Sequence, residues 1–160
     1  MPEYTTLTRF LPDADATQAL GELLARHLHR GDTLLLTGSI GAGKSHLARS
    51  LIRAHLGRME DVPSPTFTLV QTYEDEKGDI WHADLYRLSH PDEVIELGLD
   101  EAMQNEICLI EWPDRLGKLA PVDAILLTLS LEGEGRRADF SFSDRPDLLQ
   151  ALQDEFPDHD

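Results

Sequence analysis

The eight residues Gly38-Ser39-Ile40-Gly41-Ala42-Gly43-Lys44-Ser45 constrain this chain more than any other feature. The spacing G-x-x-x-x-G-K-[ST] works only where a buried strand runs into a loop and the loop opens a helix. Its glycines let the backbone curl so that successive N–H groups face one point. The following helix turns its positive end to the same place, and a chain of phosphates fits there. The amine of Lys44 then reaches the β and γ phosphates, and the hydroxyl of Ser45 becomes a magnesium ligand. The flanks agree. Residues 33–37 (TLLLT) are the short, continuously apolar run of a buried parallel strand. Residues 44–56 carry Leu47, Leu51 and Leu56 on one helical face before Gly57 ends the helix. We therefore expect a nucleoside triphosphate held with magnesium, the phosphates lying along Ser39, Ile40, Gly41, Ala42, Gly43, Lys44, Ser45 and the next residue, His46.

The rest of the chain supplies strands and helices in alternation. Residues 4–10 alternate weakly, as an opening strand does. Asp13 is placed to cap a helix whose apolar stripe is Ala16, Ala19, Leu20, Leu23, Leu24, His27 and Leu28, stopped at Gly31-Asp32. Val62-Pro63-Ser64-Pro65 reads as a stiff, extended linker, because each proline also restrains the residue before it. Residues 67–73 and 79–86 read as strands of a hairpin turning at 74–78. Short helices follow at 91–97 and 100–104, then an apolar strand at 107–110, two more strands at 125–131 and 138–142, and a helix at 146–156 with Leu148, Leu149 and Leu152 inward. This pattern predicts an α/β fold: a P-loop NTPase-like three-layer sandwich with a mainly parallel central sheet, built as one domain over residues 1–160.

Composition limits the partners. Thirty acidic residues against 14 Lys and Arg give a formal charge of −16. Such a chain repels a bare nucleic-acid backbone, so work on nucleic acid would pass through a protein partner. The one cysteine, Cys108, excludes an internal disulfide and fits a small apolar residue of a buried strand. The opening residues are not those of a secretory signal, and the most apolar stretch, 124–131, is far short of the ~20 residues that span a bilayer. The expectation is a cytoplasmic protein that does not engage a membrane.

Magnesium in such a site takes an acidic residue from the end of a neighbouring strand. Two acids qualify, Glu111 after Ile107-Cys108-Leu109-Ile110, and Asp84 after Ile80-Trp81-His82-Ala83. The longer apolar run favours Glu111 as the metal-side residue, directly or through water. His82 precedes Asp84 by two residues and shares its face, either as a packed core histidine or as part of the chemistry. Arg87 is a candidate for stabilising transition-state charge or a surface residue, and Trp112 is either core filler or a wall of the site.

These segments come in a distinctive order. The phosphate loop, Ser64-Pro65-Thr66-Phe67-Thr68-Leu69-Val70, His82-Ala83-Asp84-Leu85-Tyr86-Arg87 and Ile110-Glu111-Trp112-Pro113 together resemble the bacterial TsaE (YjeE) family, small ATPases of tRNA threonylcarbamoyladenosine synthesis. The resemblance runs from about Thr8 to Ala138. It implies that the nucleotide is ATP and that the cofactor is Mg2+. It implies a switch-like segment at Ser64 to Phe67 with Thr66 reporting on the γ-phosphate. Asp84 and Glu111 would serve hydrolysis, Glu111 as metal ligand and Asp84 as organiser of metal or water. Trp112 would pack beside the nucleotide. The base would lie between the first strand-to-helix entry and the segment around Gly135-Arg136. The implied partners are the TsaD and TsaB proteins, with tRNA reached indirectly through their complex and the chain a monomer when alone. Two positions depart modestly: the family often has an acid where Ser39 stands, and threonine as often as serine at Ser45.

Hydrolysis is expected to be weak alone and stimulated by partners, because no arginine is clearly placed as a finger. A small-molecule kinase is the second reading, though only Arg136-Arg137 is lid-like and no lid-sized insertion is visible. A GTPase lacks support, since N-K-x-D is absent and Asp84-Leu85-Tyr86-Arg87 lacks the glycine of D-x-x-G. A non-catalytic, nucleotide-gated adaptor is the fourth.

Overall fold

The structure is a computed structural model describing residues 4–39, 41–63 and 69–157. The expectations placed on Ile40 and on residues 64–68, Thr66 included, lie outside the described residues.

Along the chain come β1 (Thr5–Leu11), α1 (Ala14–His27), β2 (Thr33–Gly38), α2 (Lys44–Leu56), β3 (Val70–Tyr73), β4 (Ile80–Asp84), α3 (Asp92–Glu96) and α4 (Leu99–Asn105). Then follow β5 (Ile107–Glu111), a 3₁₀ segment (Pro113–Leu119), β6 (Ile125–Glu132), β7 (Gly135–Phe142) and α5 (Pro146–Glu155). The strands form a seven-stranded sheet in the order β1-β7-β6-β2-β5-β4-β3. Its centre is parallel: β2 pairs with β5 and β6, and β5 with β4. The edges are antiparallel, β3 beside β4 on one side and the β6–β7–β1 meander on the other.

Apolar residues on both parities of the central strands explain the layers. Leu34 and Leu36 of β2 and Ile107 and Leu109 of β5 join one core with α1, α2 and α5. Their alternates Leu35, Cys108 and Ile110 join a second core with Val94 of α3, Ala102 and Met103 of α4, and Leu116 of the 3₁₀ segment. Each fully buried leucine contributes roughly 1.5–3 kcal/mol of transfer free energy, so two-sided burial stabilises the continuous run and places it at the middle of the sheet. The three layers therefore cover the β2–β5–β4 half. On β6 the outward Leu126 is 40% exposed, and no described helix packs over that face of the meander.

Local chemistry decides the details. Asp13 caps α1, its Oδ1 accepting from the Ala16 N–H at 2.9 Å. The stripe of α1 differs from the expected one: Ala19 is exposed, while Thr17 and Gly21 face inward. A Cβ at Gly21 would meet Ser50 Cβ at 2.9 Å and the Leu47 carbonyl at 3.0 Å, so glycine there lets α1 and α2 touch. The helix ends at His27, earlier than Gly31-Asp32, because the Leu28 N–H closes on the Leu24 carbonyl in an extended conformation. Helix α2 spans the expected residues and ends at left-handed Gly57. Strand β3 starts only at Val70, after Leu69 with φ 65°. Strand β7 starts at Gly135, three residues before the expected 138, since Arg136 and Arg137 pair with both β6 and β1.

Candidate functional site

The phosphate loop leaves β2 at Gly38 and enters α2 at Lys44. Gly41 and Gly43 have φ of 83° and 100°, a region that disfavours any side chain with a Cβ. Helix α1 has an aspartate cap, but α2 has neither a side-chain cap nor an acid in its first turn. Its leading N–H groups and the positive end of its dipole are thus left open towards an anion. Ser39, Gly41 and Ser45 are exposed or half-buried around this end, Ala42 is fully buried beneath it, and Lys44 is half-buried. His46 is turned sideways, its Nε2 3.0 Å from the carbonyl of Ala14.

The acids lie at the same edge. In the parallel ladder Asp84 is directly opposite Glu111, and Glu111 is opposite Leu36, two residues before the loop. Ligands of open α/β sheets bind at this carboxyl edge of the strands. Both carboxylates share the face of Ile80 and Leu109, against which α1 and α2 pack. Both are nearly sealed from bulk water, Asp84 8% and Glu111 6% exposed. The Asp84 Oδ1 accepts the Tyr86 N–H at 3.0 Å, which bends the chain away from β4. Two buried carboxylates on neighbouring strands, with a serine hydroxyl at the head of α2, form an all-oxygen donor set. That chemistry suits a hard divalent cation such as magnesium, which takes its other oxygens from water and phosphates. Among the described residues no three His, Cys, Asp or Glu side chains gather as a resident metal cage.

Trp112 follows Glu111 with φ 56° and ψ 53°, an uncommon left-handed conformation for a bulky residue. It is 38% exposed rather than core filler. Its ring packs on Tyr86 with centroids 4.8 Å apart, and the Lys44 Nζ sits 5.4 Å from its centroid. The tryptophan therefore ties the acid-bearing strand to the phosphate-loop lysine through a cation–π contact. Arg87 is exposed on the turn beyond Asp84.

The proposed base region is drawn together from opposite ends of the chain. Leu11, Asp13 and Thr17 at the entry to α1 meet Gly135 and Arg136 at the start of β7, around a cavity of about 190 Å³ that also touches Gly43 and His46. Larger cavities of about 440 and 650 Å³ lie along α1 and α2, away from the strand-end acids.

Two neighbours of the site escaped sequence reasoning. Thr17 carried no motif to mark it, yet its Cγ2 lies 3.8 Å from where a Gly43 Cβ would be. Tyr86 had only its place beside Asp84 to mark it. His82, read from the sequence as either a packed core histidine or part of the chemistry, is buried with its Nε2 2.8 Å from Glu111 Oε2.

Sheet order, loop and strand-end acids together define a P-loop NTPase-like fold. The family model "Threonylcarbamoyl adenosine biosynthesis protein TsaE" matches residues 11–138, and the chain belongs to the TsaE family. Relatives with the name "tRNA threonylcarbamoyladenosine biosynthesis protein TsaE" include one from Rickettsia felis, 38% identical over 88% of this chain and 85% of its own length. The Synechocystis relative is 43% identical over 69% of this chain and 72% of itself. The Bacillus subtilis one is 31% identical over 91% and 90%. The crystal structure of Bacillus subtilis YdiB superposes with a TM-score of 0.78 at 25% identity, covering 96% of this chain and 98% of that one. No helix among the described residues is long and apolar enough to cross a membrane.

Proposed function

We propose that this chain is a magnesium-dependent ATPase of tRNA threonylcarbamoyladenosine synthesis, acting on the TsaD–TsaB complex rather than on a substrate of its own. The observation that carries the reading is the meeting of the open end of α2 with the paired acids Asp84 and Glu111 at one edge of the sheet. In this reading the loop N–H groups and Lys44 hold the phosphates. Ser45 and Glu111 would hold magnesium, with Asp84 beside them orienting metal or water. Magnesium, when bound, would offset the charge that gathers on the phosphate oxygens as the bond to the γ-phosphate breaks. Thr66 is proposed to report on that phosphate, and Trp112 to wall the site. The cavity between Thr17, Gly135 and Arg136 is proposed for the adenine.

A loose phosphoryl-transfer transition state is stabilised mainly by positioned charge. Arg87 is exposed on the turn after Asp84 and Arg136 lines the cavity proposed for the adenine; with neither assigned to the γ-phosphate, slow turnover alone and faster turnover with partners follow. The test is ATP hydrolysis measured alone and with reconstituted TsaD and TsaB, with and without tRNA. Turnover of several per second by the isolated protein, unaltered by the partners, would rule the proposal out. Phosphate transfer to a small acceptor would support a kinase instead.

A further inference from the structure

Glu111 is longer than the aspartate that usually serves at this strand end, and the extra methylene adds a torsion to be fixed before its carboxylate can serve a metal. The fixing partner is on the next strand. His82 of β4 lies opposite Leu109 in the ladder, one same-face step from Glu111. Its Nε2 is 2.8 Å from Glu111 Oε2, and both side chains are buried, 3% and 8% exposed. The other ring nitrogen, Nδ1, is buried with no hydrogen-bond partner among the described residues. The ring's one hydrogen bond among them is thus the contact that holds Oε2 of Glu111. The Glu111 Oε1 has no hydrogen bond among the described residues.

We infer that His82 is a positioning residue: it pins one oxygen of Glu111 so that the other meets magnesium in a single orientation. This rests on Glu111 being the metal-side acid of the proposed ATPase. Partners of this kind orient a metal's ligands, and losing one typically costs about 10–100-fold in metal affinity or activity.

The test uses the full chain and a fluorescent ATP analogue. In His82→Leu the magnesium concentration giving half-maximal tightening of nucleotide binding rises about tenfold or more, while binding with the metal chelated is unchanged. His82→Gln, whose amide NH2 reaches the Nε2 position, restores a value near wild type. Thermal unfolding of each variant separates positioning from misfolding.

Equal magnesium dependence in wild type and a folded His82→Leu would overturn the inference and leave the ATPase reading standing. A wild type that binds no nucleotide with or without magnesium overturns both.

Discussion

The two residues whose tasks separate most cleanly are Lys44 and Glu111. Lys44 lies with its Nζ 5.4 Å from the Trp112 ring centroid, and in the proposed function its ammonium holds phosphate oxygens. Lys44→Ala should weaken ATP binding by about 10–100-fold, the size of one or two charge-assisted hydrogen bonds. Glu111→Gln keeps size and the reach to His82 but loses charge. At saturating magnesium it should bind ATP nearly as well and hydrolyse it about a hundredfold more slowly. Equilibrium titration with the analogue and single-turnover hydrolysis read the two separately. Equal losses in both assays for Glu111→Gln would contradict this division.

Between elements, the fastening of α5 is an ionic one. Arg145, just before that helix, reaches the Asp32 carboxylate at 3.0 Å, the His27 carbonyl and Asp147 at 3.4 Å. Burial opposes ionisation of Asp147, yet the hydrogen bond and charge of Arg145 outweigh it and hold that carboxyl below its usual range. A depressed acid stabilises the fold above its unfolded pKa, and the benefit disappears as pH falls through the folded one. Arg145→Ala should therefore lower the unfolding free energy at neutral pH by about 1–3 kcal/mol for the lost charged hydrogen bonds, and the urea midpoint with it. The gap to wild type should narrow as pH drops below the ordinary carboxylate range near ~4. Urea titrations of both proteins across that range are the check, and a constant gap would remove Asp147 from the explanation.

Elements whose cues are local were readable in advance. The loop motif named α2 and β2 together, Asp13 declared the start of α1, and Gly57 the end of α2. The strand-end acids were readable because four apolar residues before Glu111 announce a buried strand. What escaped depends on contacts across the sheet. Nothing near His82 in the chain says that it points at Glu111, since that contact exists only once β4 pairs with β5 in this register. Thr17 and Gly21 went unmarked for the same reason, their inward turn being set by how closely α1 approaches α2. The 3₁₀ segment after Trp112 lacked any periodic signal, although Leu116 inside it is fully buried.

At the scale of the whole molecule, charge dominates. A formal charge of −16 on 160 residues makes the folded chain repel itself. Salt shortens the reach of that repulsion, to about 10 Å at ~0.1 M. The melting temperature should then rise between low and physiological ionic strength, against the fall expected if exposed ion pairs such as Arg26–Glu155 governed stability. Calorimetry in a salt series decides between them. The same charge explains why the proposed partner is a protein complex rather than tRNA itself.

The cavity shared by Thr17 and Arg136 also sets a timetable. During synthesis the phosphate loop leaves the ribosome roughly ninety residues before β7, and domains of this size acquire their structure as units. A nascent chain ending before β7 would carry every phosphate-loop residue and yet lack one wall of the cavity proposed for the base, because Gly135 and Arg136 complete it. Strand β1 would meanwhile lack its β7 partner and expose an unpaired edge that invites association with other chains. Completion of that cavity and protection from aggregation thus arrive together, with β7.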